Sequence, residues 1–171
     1  MNRREQELRD VLEEHGGLIQ RIIASYERDL SLQSDLQQEV ALALWEALPR
    51  FRGEGSKRAF VARVAQNRSI AHAVRRSREP PTDRVEVQDP GLSVDDQVDA
   101  DRRRHELLSA VRALPVHDKQ LVVLSLEGFT TREIASELGI TENNAGVRLH
   151  RARAALKKRM RKWTPQKTGT S

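Results

Sequence analysis

Two sets of helix-start signals separated by one glycine lie within residues 128–153, and few folds accommodate that pattern. Thr130 can cap a helix N-terminus, and Glu133, three residues later, completes a capping box. Gly139 stands where a helix end favours a left-handed residue, and Thr141 can cap a second helix. Two short capped helices joined by a glycine-containing turn predict a helix-turn-helix.

The faces of the second helix follow from its rotation of about 100° per residue. One apolar stripe is formed by Ala145, Leu149, Ala152 and Leu156, and the opposite face carries Asn143, Val147 and His150. A recognition helix sets such residues against base edges in the major groove, while flanking arginines contact phosphates. A plain basic helix with a solvated face is the alternative. The candidate duplex-binding residues are Thr131, Arg132, Thr141, Asn143, Asn144, Val147, Arg148, His150, Arg151 and Arg153.

Charge is unevenly distributed along the 171 residues. The net charge is +3 over residues 1–78, −7 over 79–101 and +9 over 102–171. A sequence pI of about 10.1 with the bases concentrated at one end is typical of nucleic-acid-binding proteins. Structural or ribosome-associated basic proteins share that composition, and they are an alternative that predicts sequence-independent, strongly salt-dependent binding.

Composition also excludes several classes of function. The chain has no cysteine, which rules out disulfides, thiolate zinc sites and a cysteine nucleophile, and agrees with a reducing cytoplasm. No histidine has metal-ligand spacing, because Ser109 stands where a zincin-like motif starting at His105 needs its second histidine. No secretory signal or membrane-spanning run is visible. We therefore expect no enzymatic activity, no cofactor, no metal ion and no membrane insertion.

Residues 79–101 are predicted to be a flexible acidic linker. Pro80 and Pro81 end the preceding helix, and the few apolar residues that follow bury too little surface to order the segment. We predict an all-α fold of two small helical domains, one over residues 1–78 and one over 102–163, with a disordered tail over 164–171. A single domain with a long structured loop is the alternative.

The N-terminal domain is predicted to contain three or four helices, of which three are defined by apolar spacing. They run over residues 8–28, 33–48 and 57–78, and Ser31 or Ser34 is expected to cap the second. Asn67 falls on the apolar stripe of the third helix, which favours a structural amide. The predicted core stripes are Leu18, Ile22 and Ile23, then Leu36, Val40, Leu44 and Ala47, then Phe60, Val64, Ala71 and Val74.

A separate stripe on the second helix carries Asp35, Glu39, Leu42 and Glu46. These residues recur at helical spacing, so they share one face that is acidic around an exposed leucine. Such a face is either an ordinary solvated surface or a docking site for a basic partner helix, and spacing alone leaves both interpretations open.

Several motifs resemble the extracytoplasmic-function (ECF) sigma factors of bacteria. Residues 35–40 (Asp-Leu-Gln-Gln-Glu-Val), 45–51 (Trp-Glu-Ala-Leu-Pro-Arg-Phe) and 60–67 (Phe-Val-Ala-Arg-Val-Ala-Gln-Asn) resemble region 2 of that family. Residues 107–156 resemble region 4, most specifically at 113–115 (Ala-Leu-Pro), 133–135 (Glu-Ile-Ala) and 148–153 (Arg-Leu-His-Arg-Ala-Arg). The two blocks follow the family's order on either side of an acidic segment.

The resemblance implies a bacterial cytoplasmic protein that joins core RNA polymerase, directs it to promoters and helps to open the duplex. The helix-turn-helix would bind the −35 element and contact the polymerase flap, and a separate anti-sigma factor is expected. The clamp helices of the largest polymerase subunit would meet Asp35, Gln38, Glu39, Leu42, Trp45 and Glu46. The unwound −10 strand would meet Phe51, Arg52, Lys57, Arg58, Arg63, Asn67, Arg75 and Arg76.

The sequence departs from the family pattern at two places. Phe60 stands where a tryptophan is usual, and Asn144-Ala145 replaces the usual Thr-Val pair, so promoter preference stays open. A stand-alone helix-turn-helix regulator is the second interpretation. It predicts palindromic duplex binding without polymerase, with half-sites about one helical turn apart.

Overall fold

The computed structural model describes residues 2–80 and 95–161, and all regular structure in those ranges is helical. The N-terminal bundle consists of α1 (Arg3–Ala24), α2 (Leu30–Ala47) and α3 (Lys57–Arg78), with a 3-10 turn at Leu48–Arg50. The C-terminal bundle consists of α4 (Asp95–Arg112), α5 (Val116–Leu126), α6 (Thr131–Leu138) and α7 (Glu142–Arg161). The prediction of an all-α fold with two small helical domains is confirmed. Most of the predicted linker and the whole predicted tail lie outside the described residues, and α4 begins within the predicted linker.

Local signals set where the first two helices start. Asn2 and Glu5 form a capping box, so α1 begins five residues before the predicted start. The Asp29 side chain accepts hydrogen bonds from the backbone N–H groups of Ser31 and Leu32, and α2 therefore begins at Leu30. The prediction that Ser31 or Ser34 caps α2 is wrong, because the Asp29 carboxylate satisfies these donors and both serines lie inside the helix.

The core of the N-terminal bundle lies between its three helices. Ile22, Ile23, Leu36, Val40 and Leu44 are fully buried, which confirms most of the stripes predicted for α1 and α2. Burying a side chain of this size contributes about 1.5–3 kcal/mol relative to leaving it exposed. Apolar burial on α1 and α2 is therefore the main force that holds this bundle together.

The face that α3 turns to the core differs from the prediction. Its buried positions are largely small residues, whereas Ala71 and Val74 are exposed and Phe60 and Val64 are only partly buried. The predicted stripe is wrong because it followed the larger apolar residues, whereas small side chains let α3 approach its neighbours closely. The buried residues of α3 are Ala59, Val61, Ala62, Ala65, Gln66, Ser69 and His72.

The helix-turn-helix forms as its capping signals predict. The Thr130 hydroxyl accepts from the Glu133 N–H at 3.2 Å, and the Thr130 N–H donates to the Glu133 carboxylate at 2.7 Å. Ile134 and Ala145 are 0 % exposed, and the predicted stripe of α7 is buried along its length. The capping box and the apolar stripe of this motif are both confirmed.

Gly139 ends α6 in the left-handed conformation, with φ 65° and ψ 33°. Its substitution by alanine is expected to cost about 1–2 kcal/mol, because an L side chain is disfavoured in that conformation although nothing lies within 4 Å of an added Cβ. Urea unfolding of the variant measures the loss. The matched control is Gly16→Ala within α1, where an added Cβ also meets nothing and which we expect to be neutral or stabilising. Equal effects at the two glycines would contradict the conformational argument.

Candidate nucleic-acid interface

A shallow groove runs along the exposed side of α7 beside the start of α6. Asn143 and His150 are exposed there, and Val147 is 43 % exposed although it is apolar. The Thr141 hydroxyl accepts from the Asn144 N–H at 3.1 Å and so caps α7. The structure thus brings half of the predicted duplex-binding set onto one surface. The groove is lined by Thr131, Glu142, Asn143, Gly146, Val147, His150 and Arg151.

Other members of that predicted set lie away from this groove. Arg148 lines a different cleft, between the two bundles. The Arg153 guanidinium donates to the Ser125 hydroxyl on α5. Arg132 and Asn144 are exposed but do not line the groove. Five members of the predicted set, Thr131, Asn143, Val147, His150 and Arg151, thus line one open groove.

The acidic stripe predicted on α2 is open over most of its length. Asp35, Gln38 and Glu46 are exposed, and Leu42 is 59 % exposed, the most exposed of the large apolar side chains described. Leu42 is thus an apolar side chain that is open to solvent between the carboxylates of the stripe.

Two members of the predicted polymerase-binding set have partners within the chain. Glu39 accepts from the Arg75 guanidinium at 3.1 Å. The Arg4 guanidinium lies 4.5 Å from the centre of the Trp45 ring and donates to the Trp45 carbonyl at 3.0 Å. Arg4 therefore covers part of Trp45, while the centre of the stripe at Leu42 stays open.

The residues predicted to bind the −10 strand do not form one open cluster. Phe51 packs on Phe60 with ring centroids 4.9 Å apart, beside the exposed Arg52. Lys57 lies 3.9 Å from Glu7 on α1, and Arg75 is held by Glu39 on α2. Asn67 is exposed, so the prediction of a core amide at this position is wrong and follows from the misjudged rotation of α3.

Arg76 belongs to a buried polar group behind α3. Its Nε lies 3.5 Å from a carboxylate oxygen of Glu27, and His72 Nε2 lies 2.6 Å from the same oxygen. The Glu27 side chain is only 6 % exposed and its second oxygen accepts from the Asp29 N–H at 2.9 Å. Buried carboxylates need such partners, so this group anchors α3 to the turn between α1 and α2.

The remaining strand-binding candidates on α3 face the C-terminal bundle. Arg58 lies 3.8 Å from the Glu127 carboxylate, donates to the Glu127 carbonyl and stacks 4.4 Å from the centre of the Phe129 ring. Arg63 Nε lies 3.3 Å from Glu137 on α6. Sequence reasoning missed Glu127, Phe129 and Glu137, because their partners are far away along the chain and no local pattern marks them.

Further polar contacts join the bundles near the end of α1. Arg21 makes a two-point contact with Glu127, at 2.9 and 3.0 Å, and this hydrogen bonding raises the pKa of Arg21. The Arg112 guanidinium donates to the Ala24 carbonyl at 2.7 Å, and Lys119 lies 5.0 Å from the centre of the Tyr26 ring. Burial lowers the pKa of both Arg112 and Lys119.

Within the described ranges, no three histidine, aspartate or glutamate side chains are grouped so that they could hold a metal ion. The described helices likewise include none with the length and apolarity needed to cross a bilayer.

Comparison with known proteins gives the same division of the chain. Residues 11–79 match the family of sigma-70 region 2, and residues 104–156 match sigma-70 region 4. These ranges fall on the N-terminal and the C-terminal bundle respectively. The chain belongs to the sigma-70 family, in its ECF group. It is an alternative sigma factor that directs RNA polymerase to promoters.

Individual relatives extend over nearly the whole of this ECF sigma factor. It is 28 % identical over 154 residues to the ECF RNA polymerase sigma factor SigL of Mycobacterium tuberculosis, which covers 88 % of this chain and 86 % of the relative. The structure of CnrH in complex with the cytosolic domain of CnrY shares the fold, with a TM-score of 0.67, 18 % identity, and coverage of 94 % and 91 %. The sigma factor RpoE from Bartonella quintana, in complex with the anti-sigma factor NepR, has a TM-score of 0.65, 19 % identity, and coverage of 92 % and 96 %.

Proposed function

We propose that this sigma factor uses three surfaces to bind RNA polymerase and promoter DNA. The acidic stripe of α2 binds the clamp helices of the largest polymerase subunit, and the C-terminal bundle contacts the flap. The start of α3 and the loop before it bind the unwound −10 strand, through basic and stacking side chains suited to single strands. The groove of α7 binds the −35 duplex. We place the domain boundaries at residues 78 and 102, and we infer a bacterial cytoplasmic protein without enzymatic activity of its own.

One observation carries this assignment. The stripe around Leu42 and the groove around Val147 each expose one apolar side chain bordered by polar side chains, and they lie on separate bundles. The carboxylates around Leu42 suit a basic protein helix, whereas the amides and basic groups around Val147 suit base edges and phosphates. A protein that brings polymerase to DNA needs two such surfaces.

A regulatory partner is also proposed for the α2 stripe. The two structural relatives are bound to CnrY and to the anti-sigma factor NepR, respectively. An anti-sigma factor of this chain would keep polymerase away most directly by covering the open leucine and its acidic neighbours on α2. We expect such a partner to protect Leu42 and Glu46 from hydrogen exchange when it binds.

Mixing the purified protein with bacterial core RNA polymerase on a sizing column tests the proposed function. A stable one-to-one complex that initiates transcription at promoters which core polymerase ignores is the expected result. Failure of the folded protein to join polymerase would instead favour a stand-alone helix-turn-helix regulator, which palindromic duplex binding by the free protein would then support.

Substitution within the α7 groove is expected to change sequence preference. Asn143→Ala should lose about 1–3 kcal/mol at one base pair if its amide makes a bidentate base contact. Arg151→Ala should weaken binding to all sequences alike and lower the salt slope by about 1, because a phosphate contact reads no base. Holoenzyme binding to a library of −35 variants at several salt concentrations measures both effects. An equal loss of affinity for all sequences with Asn143→Ala would show that this side chain contacts the DNA phosphates and not a base.

A further inference from the structure

A cleft between α3 and the C-terminal bundle has no function assigned to it so far. Its volume is about 350 Å³, which lies in the range of small-molecule sites. Arg63 and Asn67 of α3 form one side, and the other side includes Gln120 of α5, Glu137 of α6 and Arg148 of α7. Four helices from two bundles therefore meet around one cavity, and ligand sites often lie in such junctions.

The cleft carries more positive than negative charge. Arg63 and Arg148 line it, whereas Glu137 is the one carboxylate among the described residues of its lining. Glu137 lies 3.3 Å from Arg63 Nε, so this carboxylate is already paired with one guanidinium. Arg148 is partly buried and forms no ion pair or hydrogen bond within the described ranges. Because partly buried cations favour an anionic partner, this side of the cleft suits a phosphate, which a guanidinium can bind with two parallel hydrogen bonds.

Neutral hydrogen-bonding groups stand beside the two guanidiniums. The side-chain amides of Asn67 and Gln120 have no hydrogen-bond partner in the part of the chain that the structure describes. Gln66 is 3 % exposed, and its amide is held in the wall of the cleft by a hydrogen bond to the Gln120 carbonyl at 3.2 Å. An amide offers a donor and an acceptor side by side, which matches the donors and acceptors on the edge of a nucleobase.

Apolar side chains complete the lining. Leu124 is 2 % exposed and Leu138 is partly buried, and both contribute to the wall of the cleft. Bases that are extruded from a duplex are bound in pockets of similar composition, through apolar contact with the ring faces and hydrogen bonds to the ring edge. The exposed His117 also lines the cleft, which is therefore open to solvent.

We propose that this cleft binds a free mononucleotide, with its phosphate on Arg148 and Arg63 and its base against Leu124, hydrogen-bonded to Asn67 and Gln120. A phosphate alone would leave the amides and leucines without a role, and an uncharged base would leave Arg148 without an anion. The proposal goes beyond the proposed function, because a free nucleotide can bind the chain without polymerase or promoter DNA. Bound nucleotide would stabilise the folded chain by mass action and make this sigma factor responsive to nucleotide supply.

Titration calorimetry of the full chain with AMP, GMP, CMP and UMP tests the proposal. We expect saturable one-to-one binding of at least one nucleotide, with the matching nucleoside and inorganic phosphate each bound at least about tenfold more weakly, or about 1.4 kcal/mol. Absence of saturable binding by all four nucleotides up to about 1 mM would overturn it. Equal binding of nucleotide and inorganic phosphate would also contradict it, because the base would then contribute nothing.

Substitutions on both sides of the cleft locate the site. Arg63→Gln and Arg148→Gln are each expected to lower the nucleotide affinity at least about tenfold, because each removes a phosphate contact. Arg68→Gln on α3 and Arg159→Gln on α7 remove the same charge at exposed positions and should change it less than about twofold. Loss with Arg63→Gln alone would place the nucleotide on α3 outside the cleft, and equal loss in the controls would indicate general charge attraction. Either result would overturn the proposal.

Asn67→Ala gives a second test that does not depend on an arginine. Asn67 is exposed, so the variant should fold normally, which circular dichroism checks. We expect it to weaken binding of the preferred nucleotide while leaving the weak binding of inorganic phosphate unchanged, since the amide contacts only the base. Unchanged nucleotide affinity in this variant, together with full affinity in Gln120→Ala, would contradict the assignment of the base to this cleft.

A competition experiment separates a free nucleotide from a nucleotide within a strand, because Arg63 and Asn67 also belong to the residues proposed for the −10 strand. A short mixed-sequence single strand that displaces the nucleotide and binds these residues more tightly would overturn the proposal. Assembly with core polymerase is a separate measurement. A chain that joins polymerase but binds no nucleotide disproves the nucleotide site alone, and one that binds nucleotide but never joins polymerase disproves the assignment of the α2 stripe alone.

Discussion

Replacing Glu39 with lysine and Leu42 with alanine is expected to abolish complex formation with core RNA polymerase. The leucine is the exposed apolar centre of the stripe and Glu39 one of its charges, so the pair removes an anchor and introduces repulsion toward a basic partner. A loss of at least about 3 kcal/mol, or roughly 100-fold in affinity, is reasonable for a central contact of this kind. Sizing-column assembly with core polymerase measures it directly.

Two control variants test whether the loss of assembly is specific to the acidic stripe of α2. Glu13→Lys with Leu30→Ala makes the same chemical changes at exposed positions elsewhere in the bundle and should leave assembly intact. Because Glu39 is paired with Arg75, the single change Arg75→Ala tests whether loss of that ion pair matters by itself, and we expect full assembly. Normal assembly by the Glu39 and Leu42 double variant would show that polymerase binds another surface.

Ile134→Ala is expected to destabilise the C-terminal bundle by about 2–5 kcal/mol. Ile134 is 0 % exposed in α6, and truncation of such a side chain loses its burial and leaves a cavity that close packing fills only in part. Loss of this magnitude is a large share of the stability of a small helical unit. Thermal unfolding of the full chain, followed by circular dichroism, should show a separate early transition for this variant.

Val147→Ala is the matched control for that prediction. It also truncates an aliphatic side chain in the helix-turn-helix, but Val147 is 43 % exposed, so its stability should change by less than about 0.5 kcal/mol. The two variants therefore separate folding from recognition, since we expect Val147→Ala to unfold normally and to bind −35 sequences with altered preference. Similar melting curves for both would mean that α6 is not held by its buried isoleucine.

Where the sequence predicted the structure well, the signal was local. The capping box of Thr130 and Glu133 and the glycine at 139 lie within a few residues of the backbone groups that they satisfy, and the stripe of α7 recurs at helical spacing within that one helix. Leucine, isoleucine and valine residues at helical spacing likewise indicated the core faces of α1 and α2. Such features depend on helix geometry alone, so a single sequence carries them.

The incorrect and missing predictions also have physical causes. Four of the seven buried residues of α3 are alanine or serine, which carry little apolar contrast, and the predicted stripe instead followed larger apolar residues such as Val74, which is exposed. The sequence did not predict the junction between the two bundles, because contacting residues such as Arg21 and Glu127 are 106 positions apart in the chain. Periodicity reports which face of a helix is buried but not which distant helix covers it, and so the occupied state of Arg58 and Arg63 was not foreseen.

The small buried residues on α3 also limit which substitutions that helix can accept. Helix axes lie about 8–10 Å apart depending on the side chains between them, and Ala62, Ala65 and Ser69 are small residues on the buried face of α3. Under the proposed function, the packing of α3 against α2 sets how the polymerase-binding face and the strand-binding face are aligned. A larger residue such as leucine at position 62 would shift one face against the other. Substitution of Ala62, Ala65 or Ser69 by a larger residue is therefore expected to impair transcription initiation even where the bundle still folds.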